Sequence, residues 1–171
     1  MDMIEASNTY YQLYLKLFEA HKLAPNIWTL QECTRILTSI MAAKSFSWRV
    51  VGITPLALDQ FSKNEFKKFE KSGITRAHIV PRFETVLKLI SNVEPKSETQ
   101  FFETWINNDK TVLCAKGENK ARIPNYIAIE NPDGKLFSCE KVLAGWKHGK
   151  NERELLRVLN EKYIIGSINL V

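Results

Sequence analysis

Two short segments decide the predicted fold and site: RAHIVPR at Arg76–Arg82 and KTVLCAKGENK at Lys110–Lys120. In each segment a β-branched or apolar run, typical of a strand, accompanies a polar residue near a turn or strand end. His78 lies shortly before the strand-ending Pro81, and Asn119 follows its strand after a glycine-containing turn. Histidine exchanges a proton near neutral pH, and an asparagine oxygen can bind a hard metal ion. Brought together, the two side chains would form a one-metal hydrolytic site.

The composition is that of a folded protein with a modest basic excess. The 171 residues fit one domain, 44% of them are hydrophobic, and the net charge of +5 suits nucleic acid as well as many proteins that bind none. The three cysteines form no CxxC pair, so we expect reduced thiols rather than disulfides or a zinc ribbon. No apolar run reaches the length of a membrane span, and the acidic N-terminus lacks a signal-peptide pattern. We therefore expect a cytoplasmic protein.

The apolar spacing predicts an α+β chain with three regions. Residues 1–72 are expected to be helical, residues 73–124 to form the core that holds the site, and residues 125–171 to form a β-hairpin and a last helix. In the third region, residues 126–130 and 135–139 are predicted to pair around the turn Asn-Pro-Asp-Gly. The three regions are expected to pack as one compact domain.

Helix starts are marked by residues whose side chains can accept a hydrogen bond from the first turn. The predicted capping residues are Thr29, Thr54, Ser62, Ser97 and Asn151. Four of them are followed three residues later by Glu or Gln, the pattern of a capping box, and Thr54 is followed by proline.

The two segments resemble the two halves of the HNH motif of the ββα-metal nuclease superfamily. His78-Ile79-Val80-Pro81 is similar to the first half. The run Lys110–Lys120, with Val-Leu followed by an asparagine among basic residues, is similar to the second half, as in the HNH domain of RNA-guided CRISPR nucleases. Arg76-Ala77-His78 also resembles the Arg-Gly-His of the non-specific DNA/RNA nucleases of that superfamily. The resemblance implies a ββα-metal, HNH-like core at 73–124 with flanking helices.

The resemblance also implies catalytic roles. His78 would be the general base that activates the attacking water, with Arg76 beside it as a further catalytic residue. The polar residue that orients the histidine would lie between Asn107 and Lys110. Spacing points to Lys110 and residue type to Asn108 or Asp109, and Asn108 is our choice.

The implied metal ion is Mg²⁺ or Mn²⁺, bound by Asn119. Ala77 stands where the family often has an acidic ligand, so Asp109 and Glu118 are candidate replacements. The bound ion would stabilise the scissile phosphate and the leaving oxygen.

Basic residues near the two segments and in the last region would contact DNA phosphates. The candidates are Arg82, Lys116, Lys120, Arg122, Lys147 and Lys150. The expected activity is Mg²⁺-dependent hydrolysis of double-stranded DNA by a type II-like restriction endonuclease, which by family analogy would act as a homodimer.

Two alternatives stay open. The chain could be a nucleic-acid-binding module of the same fold without catalysis, which would bind DNA in a salt-sensitive manner and not cleave it. It could instead be a structural or interaction protein in which the histidine and the asparagine only support the fold.

Overall fold

A computed structural model describes residues 3–42, 47–67, 73–119, 125–139 and 146–165, without the side chains of residues 3–7, 164 and 165. These residues form a mixed α+β structure, which confirms the predicted α+β class. The elements are, in chain order, α1 (Met3–Leu23), α2 (Leu30–Met41), β1 (Arg49–Ile53), α3 (Pro55–Lys63), β2 (Ile74–His78), α4 (Arg82–Ile90), α5 (Glu98–Asn108), β3 (Lys110–Ala115), β4 (Ile127–Ala128) and α6 (Lys150–Asn160). A π-helical turn, Glu161–Ile165, continues α6.

The chain divides into two compact units. Unit 1 comprises Met1–Ser47 and Val80–Asp109, and unit 2 comprises Trp48–Ile79 and Lys110–Val171. This division differs from the predicted boundaries because α4 and α5, which lie between β2 and β3 in the chain, pack with the N-terminal helices.

Unit 1 is helical, with α1, α2, α4 and α5 around an aromatic core. Tyr14 of α1 stacks on Phe101 of α5 with ring centroids 4.6 Å apart, and its hydroxyl donates to the carbonyl oxygen of Leu89 in α4 at 3.0 Å. The phenol therefore buries its ring while keeping its polar atom bonded, which ties three helices together. The other buried core residues are Leu17, Phe18, Cys33, Leu37, Met41, Val86, Ile90 and Trp105.

Three of the predicted helix caps are confirmed. The side chains of Thr29, Thr54 and Ser97 each accept a backbone hydrogen bond from the first turn of α2, α3 and α5. The predictions at Ser62 and Asn151 are wrong. Ser62 lies inside α3, and α6 begins one residue before Asn151.

Unit 2 contains an open, mixed sheet with strand order β2-β3-β1-β4. The central strand β3 runs parallel to β1 and antiparallel to β2, and β4 is antiparallel to β1. The unit 2 core lies between the sheet, α3 and α6. Its large buried side chains include Val50, Ile53, Leu58, Phe61, Ile74, Leu113, Phe137 and Leu156.

The predicted C-terminal β-hairpin is wrong. Only Ile127–Ala128 is a strand, it pairs with β1, and the described residues up to 139 contain no returning strand. The side chain of Asn131 makes hydrogen bonds to backbone groups that a returning strand would otherwise engage. Its Nδ2 donates to the carbonyl oxygens of Val50 and Leu136, and its Oδ1 accepts from the Leu136 amide.

Strands β2 and β3 pair antiparallel, as two strands of a ββα-metal core would, but that specific core is not confirmed. Two helices, α4 and α5, separate these strands in the chain, and β3 also pairs with β1. None of the helices in the described part of the chain has the length and apolar character that crossing a bilayer requires.

Candidate functional site

The β2–β3 register places His78 and Asn119 at opposite ends of the ladder. His78 pairs with Thr111 at the start of β3, whereas Ile74 pairs with Ala115 at its end, and Asn119 lies in the turn that follows. The four residue steps from Ile74 to His78 span on the order of 13 Å. The structure therefore does not bring His78 and Asn119 together, because β3 continues to Ala115 before the chain turns.

Arg76 lies on the same face of β2 as His78, two residues away. Its guanidinium carbon lies 5.0 Å from the ring centroid of Trp48 and 5.7 Å from that of Trp146. Its Nη1 and Nη2 also lie 3.6 and 3.7 Å from the sulfur of Cys139. The predicted catalytic arginine is thus packed against two indole rings, an arrangement favoured by cation–π attraction.

Trp48 links Arg76 to His78. The rings of Trp48 and His78 meet edge to face with centroids 4.4 Å apart, and the Trp48 carbonyl oxygen lies 3.4 Å from Arg76 Nη1 and 3.2 Å from Thr111 Oγ1. Trp48 has a φ of 57°, in the left-handed region that costs a bulky residue about 1–3 kcal/mol. Hydrogen bonds to its carbonyl group help to hold this conformation. We call Trp48, Arg76, His78 and Trp146 the tryptophan cluster.

Our sequence reasoning missed both tryptophans. The available signal was that each precedes a basic residue, in Trp48-Arg49 and Trp146-Lys147. That pairing of aromatic and basic residues is common in nucleic-acid sites.

Glu118 supports the turn after β3. Its Oε2 accepts hydrogen bonds from the Thr54 hydroxyl at 2.5 Å and from the Ala115 amide at 2.6 Å. Thr54 also accepts from the Ala57 amide, so Glu118 joins this turn to the N-terminus of α3. The candidate metal ligand therefore has a structural role in unit 2.

Asp109 and Arg82 form a buried ion pair in unit 1. Arg82 Nη2 lies 2.8 Å from Asp109 Oδ1, and the two side chains are only 11% and 1% exposed. Ser47 Oγ lies 2.7 Å from the other carboxylate oxygen, and the Arg82 guanidinium lies over the ring of Trp105. The Asp109 carboxylate is thus engaged by protein groups, and the largely buried Arg82 guanidinium contacts Asp109 and Trp105. Asn108, the last residue of α5, also belongs to unit 1.

The structure does not bring together the residues that were predicted to bind Mg²⁺. Asn119 is distant from His78 along the ladder, and Asp109 and Glu118 already accept short hydrogen bonds from protein donors. In the parts of the chain that the structure describes, no three His, Cys, Asp or Glu residues are grouped so that they could hold a metal ion.

Cys114, in β3, offers no reactive thiol. Its burial raises the pKa of the thiol to about 11, and the nearby charge of Glu118 acts in the same direction. The thiol is therefore neutral at physiological pH and serves as a small apolar side chain in the sheet.

Charge is divided unequally between the two units. Unit 2 contains 17 lysine and arginine residues against 10 aspartate and glutamate residues, a net charge of +7. Unit 1 contains 7 against 9, a net charge of −2. The basic excess of the chain therefore resides in unit 2.

Helix α6 presents a basic stripe on unit 2. Lys150, Arg153 and Arg157 follow one another at spacings of three and four residues, which places them on one side of the helix. The opposite side, with Glu152, Leu156, Leu159 and Asn160, is buried. Glu152 also fixes the start of the helix, because its Oε2 accepts from the Gly149 amide at 2.7 Å. We call Lys150, Arg153 and Arg157 the α6 stripe.

The other predicted phosphate contacts have different environments. Lys116, Lys147 and Lys150 are exposed, and Lys147 lies three residues before Lys150, the first residue of α6. Lys120 and Arg122 lie outside the described residues. Arg153 and Arg157 were missed by the sequence reasoning, although their helical spacing from Lys150 was visible in the sequence.

No protein-family model, curated protein or solved structure matches the chain. The structure therefore assigns the chain only to a broad class, that of mixed α+β proteins, and one of its two units is strongly basic.

Proposed function

We propose that the chain binds nucleic acid through unit 2. The observation that carries this proposal is the segregation of charge, +7 in unit 2 against −2 in unit 1. A surface that neutralises phosphates releases condensed counterions, which drives association with DNA or RNA.

The α6 stripe supports the proposal by its geometry. Its three cations lie along one side of a helix whose other side is buried, so their backbone positions are fixed before a ligand arrives. Arg157 is paired with Glu154 at 3.3 Å, but an exposed pair of this kind is weak and can exchange its partner for a phosphate. The exposed Lys147, just before the helix, extends the basic surface.

A DNA endonuclease is the second proposal. It is favoured by the position of His78, half-buried at the end of β2 with its ring held against Trp48 beside Arg76. An imidazole fixed in this way can serve as a general base. This second proposal includes a restriction role, a double-stranded DNA substrate and a requirement for Mg²⁺ or Mn²⁺. It does not assign the metal ion to Asn119, Asp109 or Glu118.

A plasmid assay separates the two proposals. Wild type, His78→Ala and His21→Ala would be incubated with plasmid in EDTA, Mg²⁺ or Mn²⁺, with binding and cleavage measured in parallel. The endonuclease proposal expects ion-dependent cleavage that falls at least about 100-fold in His78→Ala, because the general base is lost. His21, which lies in unit 1, is the matched control and should retain full activity.

Each outcome of this assay is informative. Binding by all three proteins with intact plasmid throughout would support the binding proposal and reject the endonuclease. Equal cleavage by wild type and His78→Ala would reject His78 as the base. The absence of binding by every protein would overturn the nucleic-acid proposal itself.

A further inference from the structure

Two connections of unit 1 expose large apolar side chains. At the α1–α2 connection Leu23 is 89% exposed, Ile27 70% and Trp28 39%, and at the α4–α5 connection Val93 is 83% exposed. Single exposed apolar residues are ordinary, but several on neighbouring loops are typical of an interaction surface.

The two connections flank the same cavity, of about 340 Å³. His21, Lys22 and Pro25 line it from the α1 side, and Ile90 and Ser91 line it from the α4 side. Residues next to Leu23 and close in the chain to Val93 therefore line one concave region.

Hydrogen bonds hold both connections in place. His21 Nδ1 lies 2.6 Å from the Trp28 carbonyl oxygen, which fixes the α1–α2 connection. In the α4–α5 connection, the Tyr11 hydroxyl donates to the Lys96 carbonyl oxygen and the Lys96 amide donates to the Tyr14 hydroxyl, both at 2.9 Å. The apolar side chains are thus presented on a fixed backbone, which lowers the entropic cost of binding a partner.

The charges beside these apolar residues are opposite. Lys22 precedes Leu23 on one side of the cavity, and Glu94 follows Val93 on the other, and both are exposed. In a twofold-symmetric contact, if residue i of one copy meets residue j of the other, then residue j of the first copy meets residue i of the second. A second copy could therefore pair its Glu94 with Lys22 and its Lys22 with Glu94.

We propose that these two connections form the interface between two copies of the chain. Complementary charges flank the apolar centre, and unit 1 carries a net charge of only −2. Association through unit 2 would instead bring together two units that each carry a net charge of +7 and repel each other. The proposal goes beyond nucleic-acid binding and does not depend on it.

The test is a charge-swap cycle followed by sedimentation equilibrium without nucleic acid. Wild type should have twice the chain mass of 19.7 kDa. Lys22→Glu and Glu94→Lys should each weaken the dimer by about tenfold or more, since each places like charges in contact twice. The double variant Lys22→Glu/Glu94→Lys should return to within about threefold of the wild-type dissociation constant, because the contacts are complementary again.

Two further variants control for folding and for non-specific association. Ile27→Glu should yield monomers with an unchanged circular dichroism spectrum, whereas Val158→Glu, at a 50% exposed apolar position in unit 2, should leave the dimer intact. A monomeric wild type, or a dimer insensitive to Ile27→Glu and to both single charge reversals, would overturn the proposal. Failure of the double variant to recover would reject the pairing of Lys22 with Glu94.

Discussion

Replacing Asp109 by alanine is expected to lower the free energy of unfolding by about 3–5 kcal/mol, the loss typical of breaking a buried ion pair. The substitution leaves the 11% exposed side chain of Arg82 without its carboxylate partner, 4.9 Å from the ring centroid of Trp105. It also removes one of the two oxygen atoms that the Ser47 hydroxyl contacts, the other being the Met41 carbonyl oxygen. Urea denaturation followed by circular dichroism measures the effect.

The control for this variant is Asp133→Ala. Asp133 pairs with the Lys135 side chain and accepts from the Lys135 amide on the surface, where solvent screens both contacts, so this variant should lose far less stability than Asp109→Ala. For each variant, the difference in unfolding free energy from wild type should be the same in EDTA and in Mg²⁺. If Asp109→Ala is less stable than wild type only when Mg²⁺ is present, Asp109 would instead be a metal ligand.

Neutralising the α6 stripe is expected to weaken nucleic-acid binding by about 10- to 100-fold at physiological salt. In the variant Lys150→Gln/Arg153→Gln/Arg157→Gln, each lost phosphate contact should reduce the slope of log K against log salt by about 1. Glutamine favours the helix, and the buried residues of α6 are unchanged. Because Arg153 is half-buried and its Nε donates to the Gly149 carbonyl oxygen, circular dichroism should verify that the variant is folded. Fluorescence anisotropy with a labelled duplex measures both quantities.

The matched control removes the same charge from unit 1. Lys16→Gln/Arg35→Gln/Lys88→Gln also lowers the net charge by three, at exposed positions on α1, α2 and α4. It should change the affinity far less than the α6 variant does. Equal losses in the two variants would show that the total charge of the chain, rather than unit 2, determines binding.

Local patterns predicted the local structure well. The spacing of apolar residues indicated the helices, and Thr29, Thr54 and Ser97 marked their starts because a side-chain cap depends only on residues within one turn. The hairpin failed because Asn131 bonds backbone groups of both Val50 and Leu136. One of these partners is 81 residues away, which no local pattern reveals.

The candidate site depended on contacts that the sequence does not specify. The residue types at His78 and Asn119 were compatible with a metal site, but the register that separates them depends on how far β3 pairs with β2. Likewise, Arg82 and Asp109 are 27 residues apart, and their charges gave no sign that they bind each other. The α6 stripe could have been predicted, since its spacing of three and four residues lies within one helix.

The most direct test of the central claim is the binding of wild type to a labelled duplex in EDTA over a series of salt concentrations. If unit 2 binds phosphates, log K should fall linearly as log salt rises, with a slope of about −0.9 for each phosphate neutralised. No binding at the lowest salt concentration, or binding that salt does not change, would contradict the claim that unit 2 is a nucleic-acid-binding surface.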